Sequence, residues 1–124
     1  MPHLHLEYSA NLDLDAKPVL LALNQAMRDA AYVQIANDVK SRAVPQDCYV
    51  IGVDADSKTG YVHLKVSLLS GRSTEQKAEI SNCLLQVLQQ TVPTHASVTL
   101  QLCVEIIEIP KESYAKVILP ATEA

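Results

Sequence analysis

Sliding the chain against itself by 60 residues lays one strand–helix pattern over another. His3 falls on His63, Leu4 on Leu64 and Leu6 on Val66; further on, Leu20 falls on Ile80, Leu23 on Cys83 and Met27 on Val87. The pattern predicts two consecutive β-α-β units, each with one crossover helix. Right-handed crossovers place both helices on the same face of a four-stranded sheet. The expected fold is therefore α+β, a two-layer α/β arrangement. It is one domain over residues 1–124, with a pseudo-repeat of 2–60 and 61–124. Such a sheet has a second face without helices, and a partner subunit is the expected cover.

The elements follow from hydrophobic period. Residues 3–8, HLHLEY, alternate, with Leu4 and Leu6 on one face and His3, His5 and Glu7 on the other. Residues 16–31 place Val19, Leu20, Leu23, Met27, Ala30 and Ala31 at helical spacing, with Asp15 as candidate N-cap and Pro18 tolerable in the first turn. VKSRAV, residues 39–44, reads as an extended piece ending at Pro45. CYVIGV, residues 48–53, is rich in β-formers and reads as an edge strand before the turn cluster DADSKTG. Residues 61–70 alternate as a strand. Ser73 and Gln76 stand at capping-box spacing before a helix to about Gln90, with Ile80, Cys83, Leu84, Val87 and Leu88 inward. Residues 97–109 form a long strand closed by Pro110, and the following YAKVIL is an apolar stretch suited to a neighbouring subunit.

Composition narrows the function classes. The chain is 48% hydrophobic and 19% charged, which is globular rather than disordered. Its ten Lys and Arg form no basic block and its net charge is -4, which argues against nucleic-acid binding. No apolar run reaches the ~20 residues that span a bilayer, and MPHLHLEYSANLD lacks a signal-peptide pattern. Cys48, Cys83 and Cys103 have neither disulfide nor zinc spacing; Cys83 and Cys103 read as small core residues. A cytoplasmic location follows as the expectation.

Pro2 is the most informative position. A small second residue lets the initiator Met be removed, which would leave a secondary amine at the chain start. An ordinary α-amino group titrates at about 7.7–8.0. Burial and neighbouring cations push that value down, and an amine neutral near pH 7 is a general base whose conjugate acid can return the proton. The alternative is a second-position proline without a role.

MPHLHLEYSANL, IANDVKSRA, YVHLKVSLLSGRSTEQK and VEIIEIPKESYAK together resemble the 5-carboxymethyl-2-hydroxymuconate isomerase group of the tautomerase superfamily. The start P-H-L-x-x-E-Y-S-x-N and the segment H-L-K-V-x-L-L-S-G-R-S carry most of the specificity, and the likeness covers most of the chain. It implies a tautomerase-like fold of two fused β-α-β units, a homotrimer, and Pro2 as catalytic base, with Val62 at the corresponding place in the second unit. It further implies that Arg72 in Gly-Arg-Ser binds the acidic groups of a substrate. A guanidinium there can grip a carboxylate through two parallel bonds; the alternative is a solvated arginine. Lys40 stands where the characterised isomerases carry arginine, keeping the charge without the planar fork. Arg42, two residues on and on the same face of an extended segment, is the candidate to share that role.

His3, His5 and His63 raise the question of a metal site, against a half-buried sheet face or a subunit contact; no fourth ligand stands at regular spacing, and no metal or organic cofactor is expected. The resemblance implies an isomerase that interconverts the enol and keto forms of a small di- or tricarboxylate in aromatic-compound catabolism. The partners expected are that small carboxylate and two further copies of the chain, with no nucleic acid and no membrane. Another proline-based tautomerase, dehalogenase or decarboxylase of a small acid, or a non-catalytic trimer binding an acidic metabolite, stays open beside it.

Overall fold

Two β-α-β units follow each other in the computed structural model, which describes residues 1–56 and 58–122. The first is β1 (His3–Ser9), α1 (Ala16–Asp29) and β2 (Lys40–Gln46); the second is β3 (Thr59–Leu69), α2 (Thr74–Thr91) and β4 (Thr99–Ile109). The sheet order is β2-β1-β3-β4, with β1 parallel to β2, β3 parallel to β4 and the two central strands antiparallel. His5 pairs with Lys65, its equivalent at an offset of 60, so the repeat's pseudo-two-fold passes between these residues.

The offset does not persist through the units. The buried residues of α1 are Val19, Leu23 and Met27, and those of α2 are Ile80, Leu84 and Leu88, an offset of 61. The matches of Leu20 with Ile80, Leu23 with Cys83 and Met27 with Val87 are therefore one residue out of phase. The seven-residue β1 faces an eleven-residue β3, and the helix of the second unit is longer, so the connections absorb the difference.

One hydrophobic core joins both helices to one sheet face. Leu4, Leu6, Leu23, Met27, Val62, Leu64, Val66, Ile80, Leu84 and Leu88 are all but sealed from solvent. Burial of a Leu, Ile or Val side chain stabilises by about 1.5–3 kcal/mol, so this layer holds the two units together. The capping box starting α2 is complete: Gln76 N–H donates to Ser73 Oγ at 3.1 Å and Ser73 N–H to Gln76 Oε1 at 2.9 Å. Asp15 occupies the N-cap of α1 without a side-chain cap bond.

Three expectations are corrected. CYVIGV is not a strand. β2 already holds the sheet edge, Gly52 turns the chain at φ +68°, and Val50 and Val53 lie in solvent. β-propensity without a ladder partner does not make a strand. Cys103 is exposed on the open face, because Leu102 and Val104 take the inward positions of β4, and Cys83 is only half-buried. β2 runs through Pro45 to Gln46; an edge strand accommodates a residue without an N–H. Ser57 of the turn cluster DADSKTG lies outside the described residues.

The open face is polar. Lys65 Nζ donates to Glu7 Oε1 at 3.1 Å, and His63 Nε2 lies 2.8 Å from Glu105 Oε1. Among the described residues no helix is long and apolar enough to cross a membrane.

Candidate active site

The end of the sheet where β1 begins and β3 finishes carries a cleft of about 220 Å³. Met1, Pro2, Leu68 and Leu69 line it from the strands, Tyr32, Val33, Gln34 and Asp38 from the chain after α1, and Arg72 from the turn into α2. Pro2 is buried there, and its carbonyl accepts the Lys40 N–H at 3.1 Å. The antiparallel pairing of β1 with β3 brings positions 2 and 72 together: His3 lies opposite Ser67, so Pro2 falls beside Leu68 and Leu69, just before the turn.

Two left-handed backbone positions shape that cleft. Gly71 has φ +123°, a conformation that L side chains rarely adopt, and it turns β3 toward α2 so that Arg72 projects at the strand end. Ala31 has φ 59° and closes α1 in a Schellman motif. The Ala31 N–H donates to the Arg28 carbonyl and the Tyr32 N–H to the Met27 carbonyl, both at 3.0 Å. A left-handed alanine costs about 1 kcal/mol. The motif presents the Tyr32 carbonyl to Arg72, whose Nη2 donates to it at 3.0 Å. Arg72 is thus anchored by one N–H while other donors of its fork remain for a carboxylate.

The Tyr32 hydroxyl donates to Glu79 at 3.0 Å, and burial, then this bond, pushes its pKa up to about 12. It therefore stays protonated at neutral pH. The α-amino group of Met1 lies 3.8 Å from Asp38 Oδ2. Burial first, and then the charges of Lys40, Lys116 and Arg72, lower its pKa, while Asp38 acts the other way. Lys116, from the segment after β4, donates to Asp38 Oδ1 at 2.7 Å and holds that carboxyl below its ordinary range.

The sequence-predicted site residues separate into two groups. Pro2 and Arg72 share the cleft. Lys40 and Arg42 pair in register with His3 and His5 and stand on the open face. Lys40 is near enough for its charge to act on the amine, whereas Arg42 Nη2 lies 3.1 Å from His3 Nδ1. His3 Nε2 in turn lies 3.1 Å from the Tyr114 hydroxyl. Arginine cannot accept, so His3 Nδ1 must, and the neutral ring then donates from Nε2 to the Tyr114 oxygen. Burial and Arg42 lower the His3 pKa, in keeping with a neutral ring. His3 and His63 are both engaged by side chains, and among the described residues no group of three or more His, Cys, Asp or Glu is arranged to hold a metal.

Sequence reasoning misses Tyr32, Asp38 and Lys116. Asp38 and Lys116 lie within the segments IANDVKSRA and VEIIEIPKESYAK, and Tyr32 follows the helix directly. No local spacing marks Asp38 among the 14 acidic residues; the fold alone brings it to the chain's start.

Comparison with known proteins gives one consistent result. Residues 2–118 match the family described as 5-carboxymethyl-2-hydroxymuconate isomerase. The crystal structure of a 5-carboxymethyl-2-hydroxymuconate isomerase from Deinococcus radiodurans R1 superposes with a TM-score of 0.84 at 28% identity, covering 94% of this chain and 88% of that one. A 5-carboxymethyl-2-hydroxymuconate delta-isomerase superposes at 0.77 with 24% identity, over 95% of this chain and 88% of that one. A fused 4-OT symmetric trimer shares the fold at 0.70 and 20% identity, over 92% of this chain and 90% of that one. No curated protein matches the chain by sequence.

Proposed function

Because the chain belongs to the 5-carboxymethyl-2-hydroxymuconate isomerase family, we propose that it converts the enol form of a small di- or tricarboxylate into the conjugated ketone, with Pro2 as base and acid. The observation that carries this reading is the meeting of Pro2 and Arg72, far apart in sequence, in one cleft. Excision of Met1 turns the Pro2 nitrogen from an amide into a secondary amine in that cleft. The neutral amine takes the proton from the enol hydroxyl. The oxygen's electron pair becomes the carbonyl, the double bonds shift along the chain, and the resulting ammonium returns the same proton to carbon. Arg72 holds a carboxylate and favours the negative charge that spreads toward it. Lys40 adds to the field, and Arg42 is a second holding position that a single chain does not direct at the cleft.

The sign of the pH dependence follows from the charges around the chain start. Around the Met1 amine, burial disfavours the protonated form, Asp38 favours it, and Lys40, Lys116 and Arg72 disfavour it. The Pro2 amine freed by excision would stand one residue further along among the same groups. The rate on an enol substrate should therefore rise with pH along one deprotonation and level off, with an apparent pKa below the ~7.7–8.0 of an ordinary amino terminus. A rate without a titration in that range, or one that falls across it, would remove the amine from the reaction.

The reading includes a homotrimer. Three features support it: the sheet face that carries no helix, the exposed run Val117, Ile118 and Leu119, and the likeness in fold to the fused 4-OT protein, itself a symmetric trimer. Analytical ultracentrifugation at micromolar concentration should give three times the chain mass; a monomer would refute this part.

A further inference from the structure

Asp38 is the one carboxylate among the described residues lining the cleft. A site that takes anionic substrates has reason to exclude such a group, since like charges a few ångströms apart repel. Among the described residues two cations contact it: the Met1 ammonium at 3.8 Å and Lys116 Nζ at 2.7 Å. Excision of Met1 removes the first and leaves Lys116 as the counter-ion of Asp38. Lys116 reaches this position because the segment after β4 is led along the strand ends that carry Pro2. The Lys111 N–H donates to Ser70 Oγ at 3.3 Å, Tyr114 meets His3, and Lys116 meets Asp38.

We propose that Lys116 sets the preference of the cleft for anionic substrates by neutralising Asp38, which makes the segment after β4 part of the recognition site. This deepens the isomerase reading and rests on it. Lys116 is a positioning residue here: it acts on substrate through Asp38. The charged groups facing the chain start are Asp38 after α1, Lys40 on β2, Arg72 before α2 and Lys116 after β4. Loss of Lys116 leaves Asp38 free both to repel a substrate carboxylate and to hold the Pro2 amine protonated. One substitution should thus weaken anion binding and raise the pH at which the base becomes active.

The test uses Met1-free protein and two probes without an enol, adipate as dicarboxylate and hexanoate as monocarboxylate, titrated by calorimetry. Lys116→Ala should weaken adipate binding by about tenfold and hexanoate binding by less. Lys116→Arg should keep both. Asp38→Asn placed on Lys116→Ala should restore adipate to within about twofold, because the repelling charge is gone. The apparent pKa of turnover should move up in Lys116→Ala and back down in the double variant. Adipate that binds equally to wild type and Lys116→Ala, or not at all to wild type, overturns the proposal. A double variant as weak as Lys116→Ala overturns it too, since Lys116 would then touch the ligand itself. Intact binding differences without turnover in any variant would refute the isomerase reading and leave this recognition role in place.

Discussion

Replacing Arg72 with alanine should lower kcat/KM on a dicarboxylate enol by about 100-fold or more, equivalent to about 2.7 kcal/mol of transition-state stabilisation. The magnitude follows from preorganisation. The guanidinium is held by the Tyr32 carbonyl at 3.0 Å, at the rim of the cleft that contains Pro2, so little ordering remains when a carboxylate arrives. Arg72→Lys keeps the charge and loses the two-pronged geometry, and should fall between wild type and alanine. Steady-state kinetics separates the contributions. A carboxylate grip equal in ground and transition states moves KM, and one that strengthens as charge spreads moves kcat. The carbonyl released by the substitution lies just past a helix end near solvent, so the fold should hold, which far-UV circular dichroism would verify. Unchanged kinetics in a folded Arg72→Ala protein would take Arg72 out of the site.

Much of the architecture is legible because strand and helix periods are written in the side chains. Leu4 and Leu6, and Val62 through Leu68 at alternate positions, can only be one face of a sheet, and those residues are the buried ones. The capping box at Ser73 and Gln76 is legible for the same local reason. What fails depends on pairing partners. CYVIGV has the composition of a strand, yet nothing in its own residues says that β2 has already taken the edge beside β1. Cys103 turns outward because Leu100, Leu102, Val104 and Ile106 fix the inward phase of β4; the general habit of cysteine to be buried yields there to local alternation. The repeat slips in the helices because one inserted residue rotates a helix by about 100° and leaves its hydrophobic stripe intact.

The site is legible in chemistry and not in geometry. Pro2 and Arg72 stand out by residue type and setting, but their approach depends on the antiparallel register of β1 and β3, which no local spacing encodes. Lys40 and Arg42 do share a face of an extended strand. Which face that is depends on the register with His3 and His5. Asp38 and Lys116 form a contact across 78 residues, beyond any sequence window, although both lie in segments that carry the resemblance.

The largest effect expected belongs to Met1. With Met1 attached, the Pro2 nitrogen is an amide whose lone pair is delocalised into the carbonyl and is not basic. Met1 also lines the cleft, and its own amine is drawn to Asp38 at 3.8 Å rather than held by a rigid ring at the strand start. Retention therefore removes the base, fills part of the substrate's space and adds a second ammonium beside Asp38. Pro2→Ala in processed protein is milder in principle, because it leaves a primary amine at the same end of β1. The direct measurement is turnover of one dicarboxylate enol by two preparations of the same chain, one lacking Met1 and one retaining it, each verified by intact mass. Met1-free protein should convert the enol, with a pH profile rising through a single group below ~7.7–8.0, and Met1-retaining protein should show no conversion above the uncatalysed rate. Equal turnover by the two preparations would contradict a mechanism based on the Pro2 amine.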